Sequence, residues 1–110
     1  MTPNTQALQR LLDKVESGKV SQWFNWNSGI GSHGPLARQA YNGSLDAAKA
    51  LHDALLPGWI WQAGTGIKPV SSYATIYPPG DFLNQHVGYN ADPARAWLLA
   101  IIRAVMAGER

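Results

Sequence analysis

Three histidines, His33, His52 and His86, come first for chemistry, because imidazole ligates metals and exchanges protons near neutral pH. No two of them make an H-x-x-x-H pair on a helix face, and only His52 falls in a segment that reads as helix, so all three read as surface or polar-network residues. The chain has no Cys, which excludes disulfides, thiolate chemistry and Cys-based zinc or iron-sulfur sites. No metal and no other cofactor is expected. Ser72, Asp81 and His86 supply the residue types of a nucleophilic triad. Such a triad needs its nucleophile on a sharp turn beside oxyanion donors, and no G-x-S-x-G or equivalent surrounds Ser72. Asp13 and Glu16 share a helix face but read as solvated charges near Arg10 and Lys14, not as an acid-base pair.

Gly29, Gly31 and Gly34 spell G-x-G-x-x-G. A dinucleotide site needs a buried strand before this motif, a full helix after it and an acidic residue ending a second strand about twenty positions on. Here the upstream stretch is rich in Asn and Gln, 35–40 offers barely two turns, and Asp46 and Asp53 fall on a helix. The glycines therefore predict a flexible connecting loop. Asn42-Gly43-Ser44 matches a glycosylation sequon, but Ser44 is accounted for as a helix cap.

Folding explains Trp23-Phe24-Asn25-Trp26 least well. Indoles bury large area and carry an N–H donor, and aromatic residues are enriched at interface hot spots. Trp23, Phe24 and Trp26 are thus the candidate protein-binding residues, with Tyr89 and the glycine loop as candidate neighbours. The structural alternative is that Trp23 or Trp26 covers one end of the sheet. A different class of function, a small-molecule binder or small enzyme, would use a pocket between the sheet and the glycine loop, with His33, His86 and Tyr89 as its polar groups.

The elements that position these residues are organised around 41–62. Ser44 is a good N-cap, Asp46 suits the first turn, and Leu45, Ala48, Leu51, Leu55 and Leu56 recur at helical spacing. Pro57 and Gly58 stop that helix, and a strand follows in which Trp59 and Trp61 share one face, expected to pack over the helix just left. A first helix is expected over 3–17, with Leu8, Leu11, Leu12 and Val15 as its stripe and Gly18 as its stop. After a turn around Gly64, Gly66 and Lys68-Pro69, a two-faced strand runs over 70–77, and 82–87 forms a weaker third strand. Asp92-Pro93 opens a last, broadly apolar helix built on Trp97, Leu98, Ile101, Ile102 and Val105. Leu8, Leu51, Leu55, Trp59, Trp97 and Ile101 are expected to meet in one core.

The 110 residues suit one domain, and 45% hydrophobic with 15% charged residues is enough to build a core. A formal net charge of +2 spread over scattered Lys and Arg gives nucleic-acid binding little support. The start, MTPNTQALQR, lacks the pattern of a signal peptide, and the most apolar stretch, 94–107, is too short for a bilayer and holds Arg95 and Arg103. The expectation is a cytoplasmic protein without a membrane segment.

Together LQRLLDKVES, YNGSLDAAKALHDALLPGWIW and DPARAWLLAIIRAVMA resemble small proteins of phages and bacterial prophages, the phage ABA-sandwich domain family. The resemblance spans most of the chain outside 19–34 and 78–90. It implies an α+β single domain, an αβα sandwich with a short antiparallel sheet of two or three strands flanked by three main helices. It donates no catalytic residue. It also implies a bacterial host cell and a host or phage protein as partner, with inhibition of a defence system such as a CRISPR complex as one form of the activity. The irregular 19–34 insertion departs from the family pattern.

Overall fold

A computed structural model describes residues 3–65 and 72–108. In chain order come α1 (Pro3–Ser17), a 3-10 turn (Gly31–His33), α2 (Gly34–Tyr41), α3 (Leu45–Leu55), β1 (Ile60–Thr65) and β2 (Ser72–Tyr77). A second 3-10 turn (Phe82–Asn84), β3 (His86–Asn90) and α4 (Pro93–Gly108) complete it. This is the expected α+β domain, with three antiparallel strands in the order β1-β2-β3. α2, with Pro35 in its first turn, adds a short fourth helix to the three main ones.

Two local caps start the later helices. The Ala47 N–H donates to Ser44 Oγ at 3.1 Å, and Asp92 Oδ1 accepts from the Ala94 and Arg95 N–H groups at 2.8 and 3.2 Å. Asp92 is itself set by an Asx turn, its N–H donating to Asn90 Oδ1 at 2.9 Å.

α4 is the centre of the packing: the sheet lies against it through β2 and β3, and α1, α2 and α3 pack against it as well. Leu98, Leu99, Ile101 and Ile102 are almost completely buried, as are Leu8 and Leu11 from α1 and Leu51 from α3. Trp97 is buried too, while Leu55 and Trp59 sit half-buried at the margin of the core. Strand alternation gives the sheet an inner row of Ser72, Ala74 and Ile76, all buried. Gly88 lets the last helix approach: a Cβ there would lie 2.0 Å from the Ala96 carbonyl oxygen. Tyr73, Thr75, Tyr77 and Tyr89 occupy the face turned away from α4.

Four expectations need correction. The third strand is His86–Asn90, not 82–87, because Phe82–Asn84 coil into a 3-10 turn and the close approach of α4 recruits Gly88 instead. α3 buries Ala47, Ala48, Leu51 and His52, so Leu45, at 48% exposure, lies off the buried face. Trp59 and Trp61 do share a face, but Trp61 packs on Trp97 of α4 with ring centroids 4.5 Å apart, and Trp59 stacks on His86 of β3 at 6.2 Å. Gly64, expected in the turn after β1, lies inside that strand and pairs with Tyr73, while the rest of the expected turn, at Gly66 and Lys68-Pro69, and the strand start at 70–71 lie outside the described residues.

Candidate functional site

Gly18, at φ 69°, closes α1, and the chain then runs through tight turns to α2. Phe24 N–H donates to the Ser21 carbonyl, Ser28 N–H to Asn25, and Gly31 N–H to Asn27. Asn25 Oδ1 also accepts from the Asn27 N–H at 3.0 Å. Ile30 is buried in the core, and a Cβ on Gly29 would stand 2.8 Å from the Leu8 side chain. Gly34 has no room either, since a Cβ would fall 1.9 Å from Asn27 Oδ1. Two of the three glycines expected to make a flexible loop, Gly29 and Gly34, are thus spent on close packing, whereas a Cβ on Gly31 would meet nothing.

An aromatic chain holds this segment. Phe24 meets Trp26 edge-on with centroids 5.2 Å apart, and Trp26 meets Tyr41, the last residue of α2, at 5.3 Å. The Arg95 guanidinium lies over the Tyr41 ring, 3.9 Å from its centroid, while its Nε–H donates to the Tyr41 carbonyl at 2.6 Å. Phe24 and Trp26 are half-buried supports, whereas Trp23 is 85% exposed. The structure therefore brings together two of the three candidate binding residues and projects the third.

Shallow hollows adjoin the segment. One, of about 380 Å³, lies between Phe24, Ser28 and the α1 side chains Arg10 and Lys14; another, of about 230 Å³, is bounded by Trp26, Arg38 and Tyr41. The ion pairs among the described residues, Lys49–Asp53 and Arg103–Glu16, leave Arg10, Lys14 and Arg38 out. The two hollows thus carry Arg10, Lys14 and Arg38 against one carboxylate, Asp13, and Trp23 lines neither of them.

Of the alternative pocket residues, His86 and Tyr89 face opposite sides of β3. His33 ends the first 3-10 turn, His86 stacks on Trp59, and Tyr89 is 60% exposed. Neither hollow described above is lined by any of the three. Burial lowers the pKa of His86 below its ordinary 6.5. Ser72 pairs with Asn90 while His86 pairs with Ile76, four positions along β2, a separation of about 13 Å that rules out a Ser72–His86 triad.

His52 is the residue whose role the sequence leaves open. Only 1% exposed, it accepts from Trp97 Nε1–H through Nδ1 at 3.3 Å and donates from Nε2–H to the Trp59 carbonyl at 3.0 Å. The Trp97 donor sets the tautomer, because Nδ1 must carry the lone pair. Its place on one α3 face with Ala48 and Leu51 was the available signal of burial. Among the described residues there is no group of three His, Cys, Asp or Glu that could hold a metal ion, and no helix long and apolar enough to cross a membrane. No family model, no curated protein and no solved structure matches the chain.

Proposed function

We propose that this chain is a small accessory protein that acts by binding another protein, with Trp23 as the anchor that enters an apolar pocket of the partner. The observation carrying this reading is the 85% exposure of Trp23 on a segment whose neighbouring aromatics are held in place. A large indole left in water costs the free protein some hydration free energy, and burial in a partner recovers it. Because Phe24, Trp26 and the turns already order the backbone, little entropy is lost on docking. Arg10, Lys14 and Arg38 outnumber Asp13 in the hollows beside Phe24 and Trp26, which favours a partner surface that carries carboxylates there.

The resemblance to phage ABA-sandwich proteins supports a partner of host or phage origin in the cytoplasm of a bacterial cell. Occupying a working surface of a host defence complex, a CRISPR effector among them, is the form of action we favour. Binding is preferred to catalysis because Ser72, His86 and Tyr89 do not converge. The test is quantitative capture from bacterial lysate with the wild type and Trp23→Ala. The reading expects specific proteins to be retained by the first and lost by the second, with both variants equally stable.

A further inference from the structure

The two edges of the sheet are treated differently. At β3, Arg103 Nη1 donates to the Val87 carbonyl at 2.6 Å while Nη2 holds Glu16 at 3.0 Å, so a charged side chain guards that edge. At β1, the sequence IWQAGT carries neither charge nor proline, and only Gly64 of its six residues is less than exposed. Backbone parity shows what this edge offers. The Val87 carbonyl points away from β2, so its cross-strand partner Thr75 must aim its own N–H and C=O at β1, where it meets Gln62. Alternation then leaves the N–H and C=O groups of Trp61, Ala63 and Thr65 on the side of β1 away from β2, where no strand pairs with them among the described residues. The Trp59 carbonyl, of the same parity, is met by His52 from α3 and not by β2, which agrees.

The side chains of these three residues share a face. With Leu45 and Asp46 of α3 and Trp97 of α4 they line a hollow of about 500 Å³. Leu45 and Trp61 are 48% and 42% exposed, so its walls are apolar and wet. Two charged residues also line it, and of these Lys49 is bound to Asp53 at 2.6 Å whereas Asp46 has no ion pair among the described residues, which leaves the carboxylate of Asp46 for a ligand cation. A row of unpaired backbone groups beside an apolar hollow is what strand addition uses, the backbone giving affinity and alternate side chains giving specificity. We propose that the β1 edge receives an extended peptide segment of a partner protein, with apolar side chains at alternate positions and a Lys or Arg facing Asp46. A free small molecule would fill the hollow and leave the backbone row unused. This site is independent of Trp23.

The test is an amide NMR titration of the full chain with the peptide acetyl-Lys-Val-Thr-Val-Thr-Val-amide and with its Glu-for-Lys counterpart. The amides of Trp61, Ala63 and Thr65 should shift and gain protection from hydrogen exchange. The Lys peptide should bind about two- to fivefold more tightly than the Glu peptide, and Asp46→Asn should remove that difference. Ala63→Pro deletes an outward N–H without touching the β1–β2 ladder, so it should keep its circular dichroism and bind at least about tenfold more weakly. Trp23→Ala should bind as the wild type does. The proposal fails if millimolar peptide shifts none of the three amides, or if Ala63→Pro binds equally well. It also fails if free indole alone reproduces the shifts, or if the protein sediments as a dimer with those amides already protected, which would make the occupant a second copy.

Discussion

Trp97 and Trp23 are the same side chain in opposite situations. The Trp97 ring is buried, packed against Trp61, and its N–H is received by a His52 that is itself fixed to the Trp59 carbonyl. Trp23 has 85% of its surface in water, and the order around it comes from Phe24, Trp26 and Tyr41. One indole is used to join α3, α4 and β1. The other packs into no part of the core, and the proposed binding role rests on that exposure.

The largest effect should come from emptying the first site. Trp97→Ala should cost about 3 to 5 kcal/mol in chemical denaturation, a large part of the stability of a domain of this size. A loss under about 0.5 kcal/mol would erase the contrast between the two indoles. His52→Ala should cost about 2 kcal/mol or more, because it strands the buried Trp97 N–H as well as opening space. Ser44→Ala should cost about 1 kcal/mol and Ser44→Asp almost nothing, since either a hydroxyl or a carboxylate can receive the Ala47 N–H.

A smaller effect is pH-dependent. Burial holds the His86 pKa below 6.5, so just under that value the folded protein binds fewer protons than the unfolded chain. Stability should therefore rise with pH from the folded pKa up to about 6.5 and gain nothing from this group above it. His86→Gln should flatten that part of a denaturation-versus-pH curve; an unchanged slope would mean that His86 titrates as it does in water.

What the sequence discloses is what is decided locally. The Ser44 and Asp92 caps, the Pro57-Gly58 stop and the alternation of β2 depend on neighbours within a turn or two, and the structure has all of them. Features set by distant packing were not legible. β3 lies where Gly88 admits α4, and α3 turns His52 inward, where Trp97 and Trp59 supply its hydrogen-bond partners 45 and 7 positions away. Gly29 and Gly34 read as loop glycines because their neighbours, Leu8 and Asn27, are not implied by spacing. The same limit applied to the tryptophans: the sequence marks Trp97 for the core and leaves Trp23 and Trp26 alike as binding candidates, and only the fold separates exposed Trp23 from half-buried Trp26.

The most direct test of that separation is paired capture from bacterial lysate by the wild type and Trp23→Ala, at matched melting temperature. The variant should melt within a few degrees of the wild type, as a surface substitution worth about 0.5 kcal/mol or less does, and should lose the captured proteins. Equal capture by the two, or a Trp23→Ala protein that loses binding only because it unfolds, would contradict a role for Trp23 as the anchor.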